Sequence, residues 1–172
     1  MFVPAGLGSR HRARVWLLGA LAGCSTPAPT FTAAHRTAIV DSVSTMLTQW
    51  HDALNAMDFE RAASFYAADS AFRWYEDGKL TFTSAKVIRD SMLSMKPALH
   101  GFEATFTDTR ITPLAPGAAA VTAEFTEKLT DTTGKMVGYA GAISVVVMHT
   151  GAGWQVLIGH NSSLPPAPAP SP

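Results

Sequence analysis

A second cysteine is missing from these 172 residues. Cys24 stands alone, so no internal disulfide can form, and no CxxC pair or His-rich spacing offers a set of metal ligands. Neither a metal site nor a cofactor is expected. Clustered basic charge is lacking as well. The chain holds 13 Lys and Arg against 13 Asp and Glu. Arg10, Arg12 and Arg14 lie in a stretch read below as cleaved, and without these three the balance is 10 against 13, mildly acidic. With no basic stripe to neutralise phosphates, nucleic-acid binding is disfavoured. The apolar run from Val15 to Ala22 is far too short to span a bilayer as a permanent helix. What is present is enough for one domain with a sizeable core, about 130 to 140 residues after the ends are removed.

The ends carry the address. Arg10, His11, Arg12 and Arg14, the short apolar run and Leu21-Ala22-Gly23-Cys24 follow one another in the order of an export signal. The last four residues resemble the bacterial lipobox. That resemblance implies cleavage before Cys24, lipidation of its thiol and attachment to the bacterial cell envelope, and Ser25 fits sorting to the outer membrane. Residues 1–23 are then the signal peptide and residues 24–32 a Pro-containing tether, about eight residues that reach roughly 25 Å from the membrane. Residues 164–172 alternate Pro with Ala and Ser and read as a disordered tail.

Between the ends, periodicity is clear. Ile39, Val43, Met46, Leu47, Trp50, Leu54 and Met57 recur at three- and four-residue steps and predict one amphipathic helix over 33–56, capped by Thr30 or Thr32. Asp58 starts a second helix through about residue 67, with Phe59, Ala62, Phe65 and Tyr66 buried. Residues 70–76 are extended, with Phe72, Trp74 and Glu76 on one face. Asp77-Gly78 is a type I′ hairpin turn into a return strand over 79–83. Thr83 or Ser84 caps a third helix that ends before Pro97, its inner side Val87, Ile88, Met92 and Met95. Four long strands over 101–112, 118–131, 136–150 and 154–162, joined by short turns, imply an antiparallel meander. Helices segregated to one face of a curved sheet make an α+β domain.

Gln49-Trp50-His51-Asp52-Ala53-Leu54-Asn55-Ala56-Met57-Asp58, then Phe65-Tyr66-Ala67-Ala68-Asp69, and Gly153-Trp154-Gln155-Val156 leading to His160 and Ser162, together resemble the NTF2-like superfamily. Within it the chain is most similar to SnoaL-like and DUF4440-type domains, over residues 33–163. The fold this implies is a cone: a bent sheet wrapped around three helices, with a cavity at one end and a homodimer formed through the sheet's outer face. The resemblance also allows a test of catalytic positions. The tyrosine, general-base aspartate and second acid of the ketosteroid isomerases fall at Trp50, near Trp74 and near Val145, and none is retained. That proton shuttle is therefore excluded unless other groups replace it.

The candidate site starts from the last strand. Strict alternation puts Trp154, Val156, Ile158, His160 and Ser162 on one face, apolar at its start and polar at its end, as the wall of a pocket would be. His160 can act as a general base or ligand donor, or else bond a carbonyl or Ser162. Trp50, Tyr66, Trp74, Tyr75 and Tyr139 are the amphipathic rings that can line such a pocket or fill the core, with Trp74 or Tyr75 the better placed to reach a cavity. Glu124 alternates with Val121, Ala123 and Phe125, which puts it on the outer or partner-facing surface as a solvated or cross-strand-paired carboxylate, with a pocket acid as the alternative. His51 and His149 face solvent. Three functions fit: a lipid-anchored domain that binds a small apolar or amphipathic ligand, a cofactor-free isomerase, cyclase or dehydratase using His160, or a dimerisation module whose small-residue face is Gly138, Ala140, Ala142, Ser144 and Val146.

Overall fold

The computed structural model describes residues 31–164. Cys24, the signal, most of the tether and all but the first residue of the tail lie outside them. Helix α1 (Ala33–Asn55) begins at Thr32, whose side chain accepts from the His35 N–H, and buries Ile39, Val43, Met46, Trp50, Ala53 and Leu54. Met57 adopts a left-handed conformation (φ 50°), which lets Asp58 cap α2 (Phe59–Ala63) at once. This helix is shorter than the periodicity suggests. Residues 65–67 surrender their backbone to the last strand: the Val156 N–H donates to Phe65 O, the Ala67 N–H donates to Val156 O, and Tyr66 bridges Val156. Two hydrogen bonds to a sheet replace one more helical turn.

Strands β1 (Arg73–Glu76) and β2 (Lys79–Phe82) flank the expected turn, Asp77 and Gly78 both at positive φ. Helix α3 (Ala85–Met95) is capped by Ser84 and clasped to α2 by Arg89, which forks onto both carboxylate oxygens of Glu60. Its buried contact is Ile88. Val87, expected on the inner side, is 46% exposed. A short 3-10 turn (Lys96–Ala98) takes up Pro97 and leads into β3 (Leu99–Ala115), β4 (Ala118–Asp131), β5 (Met136–Thr150) and β6 (Gly153–Ser163).

The six strands form one sheet in the order β2-β1-β6-β5-β4-β3. The meander is antiparallel, but β1 joins β6 in parallel, so the sheet is mixed rather than wholly antiparallel. This pairing carries the hairpin from the helical layer onto the sheet edge, and Asp77 locks it by accepting from the Ser163 N–H. Bulges interrupt β3 between Thr107 and Arg110, where Asp108 turns to φ 45°, and β6 at Leu157. Bulges of this kind increase local twist and bend the strand, which suits a sheet curved around α1. The concave face meets α1 through Phe102, Ala104, Val121, Ala123, Phe125, Val145 and Val147. Among the described residues no helix is long and apolar enough to cross a membrane.

Candidate functional site

The three helices do not fill the concave side. A cavity of about 300 Å³ remains between them and the sheet. Trp50 and Leu54 of α1, Phe59 and Tyr66, Trp74 and Glu76 of β1, Ser91 and Met92 of α3, Phe125 and Glu127 of β4 and Asn161 of β6 are among its walls. Trp50, Tyr66 and Trp74 form an edge-to-face series, with successive centroids 5.6 Å apart and planes close to perpendicular. Such contacts lock the rings in place.

Trp74 reaches the cavity because of its neighbour in the sheet. Its register partner on β6 is Gly159, and a Cβ there would fall inside the indole ring. The indole therefore packs its Cε3 and Cζ3 against bare backbone, and its Nε1–H donates to Glu76 Oε1 at 3.1 Å. Glu127 follows Phe125 on the inward face of β4. Its carboxyl is pushed above the usual range, first by burial and then by the charge of Glu76. The Tyr66 hydroxyl is also driven up, by burial first, then by Glu127 and Glu76, with a weak hydrogen bond from Trp50 opposing them. Trp50 is 3% exposed, and its Nε1–H is turned toward the Tyr66 hydroxyl, a weak donation that makes no contact of full hydrogen-bond geometry among the described residues. An unmet buried donor costs about 1–3 kcal/mol, and an acceptor placed in the cavity would recover it.

A second space of about 260 Å³ lies on the far side of Trp50 and Phe106, between α1 and the middle of the sheet, and touches Leu47, His51, Val121 and Val145. His51, expected in solvent, is half-buried here. Its Nε2 lies 3.0 Å from Ala104 O and Asn55 Nδ2, which fastens α1 to β3. His149 is exposed as expected and packs edge-on against Trp154.

The expected site residues divide into two groups. Trp50, Tyr66 and Trp74 line the cavity together. His160 and Ser162 do not, because alternation along β6 is broken. Val147 pairs with Val156 and Val146 with Ile158, which leaves Leu157 as an extra residue and moves everything after it to the opposite face. Ile158, His160 and Ser162 consequently point away from the core, Ile158 42% exposed, while Gly159 and Asn161 turn inward. Tyr75, beside His160 in register, is on that outer face as well and 37% exposed. Tyr139 pairs with Glu127 and shares its face, but is 48% exposed and outside the cavity lining. Glu124 is exposed opposite Ala142, on the outer side.

Sequence reasoning missed Glu127, Glu76 and Asn161 as site residues. Continuing the alternation from Val121, Ala123 and Phe125 by one step reaches Glu127, and Glu76 shares the face of Trp74. Asn161 had no such signal, since the bulge hides it. Among the described residues, no group of three His, Cys, Asp or Glu side chains could hold a metal ion.

Solved structures share this architecture. A proposed scytalone dehydratase from Novosphingobium aromaticivorans superposes with a TM-score of 0.71 at 10% identity, over 78% of this chain and 89% of that one. A proposed dehydratase of the NTF2-like family from Streptomyces avermitilis gives 0.63 at 19%, over 75% and 98%. An NTF2-like superfamily protein from Salmonella enterica gives 0.65 at 10%, over 79% and 98%. At these identities the likeness is one of fold. No curated protein sequence matches the chain. A family model, the SnoaL-like domain, matches residues 43–168, well over half of the length. With that match spanning α1 to β6 and the NTF2-like architecture beneath it, the chain belongs to the SnoaL-like domain family.

Proposed function

We propose that the domain holds a small apolar or amphipathic molecule in the cavity between its helices and sheet, at the surface of a bacterial envelope. The observation that supports this best is a space of about 300 Å³ walled by aromatic rings that still presents two carboxyls and an indole N–H short of a full hydrogen bond. Apolar walls with a few convergent polar groups are the ordinary make-up of a small-ligand site. Native mass spectrometry on the domain from Thr26 onward, purified gently from bacteria, is the test. A retained adduct that disappears in Trp74→Ala is expected, and an unliganded wild type that also binds no member of a small-molecule library would refute the reading.

A cofactor-free enzyme is the second reading, and the raised Glu127 carboxyl favours it. A buried acid that keeps its proton to a higher pH can serve as general acid or base near neutrality. The acid–base role then falls to Glu127, with Glu76 beside it, rather than to His160. Membrane attachment through Cys24 completes the proposal, and a Cys24→Ser chain that still partitions with membranes would refute that part. Pairing of two copies is assigned to the outer sheet face, where Gly138, Ala142 and Ser144 are exposed and Ala140 and Val146 half-exposed. Sedimentation of an Ala142→Arg variant as a monomer beside a dimeric wild type is the expected result there.

A further inference from the structure

The chemistry of the cavity says which small molecule it suits. Its ionisable lining groups are Glu76, Glu127 and Tyr66, and none of its lining residues is Lys, Arg or His. All the charge it can carry is negative. No lining side chain of opposite sign answers that charge, and the hydrogen bond from Trp74 satisfies only part of Glu76. The rings of Trp50, Tyr66 and Trp74, fixed by their mutual edge-to-face contacts, line the same cavity as the two carboxyls. Ring faces are the negative part of an aromatic quadrupole and attract a positive group within about 6 Å, more strongly where water is excluded. An anionic ligand would add to the negative charge of this space. A neutral one would leave the repulsion between Glu76 and Glu127 as it is.

We infer that the ligand is an organic cation, an amine or quaternary ammonium with an oxygen acceptor, its positive centre held by Glu76, Glu127 and the aromatic faces. The acceptor answers an independent feature, the buried Nε1–H of Trp50 in the same wall, which lacks a full hydrogen bond. At about 300 Å³ the space is at the lower end for small-molecule sites, which limits the ligand to one ring or a short chain beside the cationic group. The inference rests on the reading of this cavity as a ligand site.

Three probes of nearly equal shape separate the two ideas: benzyldimethyl(2-hydroxyethyl)ammonium, its uncharged carbon isostere 3,3-dimethyl-4-phenylbutan-1-ol, and the matching carboxylate 3,3-dimethyl-4-phenylbutanoate. Each is titrated into the purified full chain by calorimetry and tryptophan fluorescence, alongside Glu127→Gln and a Glu76→Gln/Glu127→Gln variant. The ammonium ion is expected to bind about tenfold or more tighter than the alcohol, with the carboxylate weakest. Glu127→Gln is expected to shrink that preference and the double variant to reduce it to what the rings alone supply, while affinity for the alcohol holds or rises. Equal or tighter binding of the alcohol overturns the cation and leaves the ligand site standing. A preference left undiminished in the double variant overturns it too, because the carboxyls then take no part in recognising the charge. If no probe binds, the inference fails, and native mass spectrometry of wild type and Trp74→Ala separately decides whether the cavity holds anything.

Discussion

Replacing Gly159 with alanine sets two effects of opposite sign against each other, and the structure decides between them. Gly159 is buried in the middle of β6 and does not need a positive φ, so alanine is allowed by the backbone. On chain entropy alone it would stabilise by about 0.5–1 kcal/mol. Against this, the new methyl would occupy the space of the Trp74 ring. That ring cannot simply withdraw, because Tyr66 packs on it at 5.6 Å and Glu76 holds its N–H at 3.1 Å. Overpacking of a core typically costs about 1–3 kcal/mol, so a net loss centred on about 1 kcal/mol is expected. In a Trp74→Ala background the obstacle is gone and the sign should reverse, to a gain of about 0.5–1 kcal/mol. Urea unfolding of the four proteins, followed by circular dichroism, gives the coupling directly, as long as the m-values agree. A neutral or stabilising Gly159→Ala in the wild-type background, or additive effects in the cycle, would refute the placement of the indole and the cavity wall built on it.

Three further outcomes are expected. In Glu127, the folded carboxyl binds its proton more tightly than the unfolded one does, so the native state is favoured at low pH. That advantage is lost as pH rises from the ordinary glutamate value through the raised folded one. The stability of Glu127→Gln relative to wild type should therefore climb across that window and then level off, by about 1.4 kcal/mol for each unit separating the two pKa values. A difference flat from pH 4 to pH 8 would contradict the burial of this carboxyl. Asn55 accepts from the Ala104 N–H at 2.6 Å and donates to Ala104 O at 3.2 Å, and Asn55→Ala should lower stability by about 1–2 kcal/mol in thermal melts. Ser84→Ala removes the α3 cap on the Val87 N–H and should cost about 1 kcal/mol, with hydrogen exchange accelerated in α3 first.

The parts legible in the sequence are those set by local rules. Thr32, Asp58 and Ser84 cap the helices they precede, Asp77-Gly78 makes its turn, and the four long strands are present, although β3 runs on through Pro113, expected to end it, to Ala115. The NTF2-like resemblance anticipated the cone, which the family match and the shared fold bear out. What could not be read depends on partners distant in the chain. The length of α2 is decided by Val156, about ninety residues later, whose backbone claims residues 65–67. The parallel pairing of β1 with β6 belongs to neither strand alone.

The face a strand residue presents is a count from the last irregularity, and that count governs the site. Up to Val156 the alternation of β6 is correct. One unpaired residue, Leu157, then exchanges the two sets. His160 leaves the interior for the outer sheet and takes a general base with it, while Asn161 enters between Glu76 on β1 and Ile143 on β5, its register partners. The same exchange puts glycine under Trp74 where Ile158 would otherwise have stood, and an isoleucine there would hold the indole off the strand. One extra residue thus removes the histidine and admits both the tryptophan and the asparagine. The ionisable groups left to the cavity are two carboxyls and a phenol, which is why its chemistry is read from Glu76 and Glu127 rather than from an imidazole.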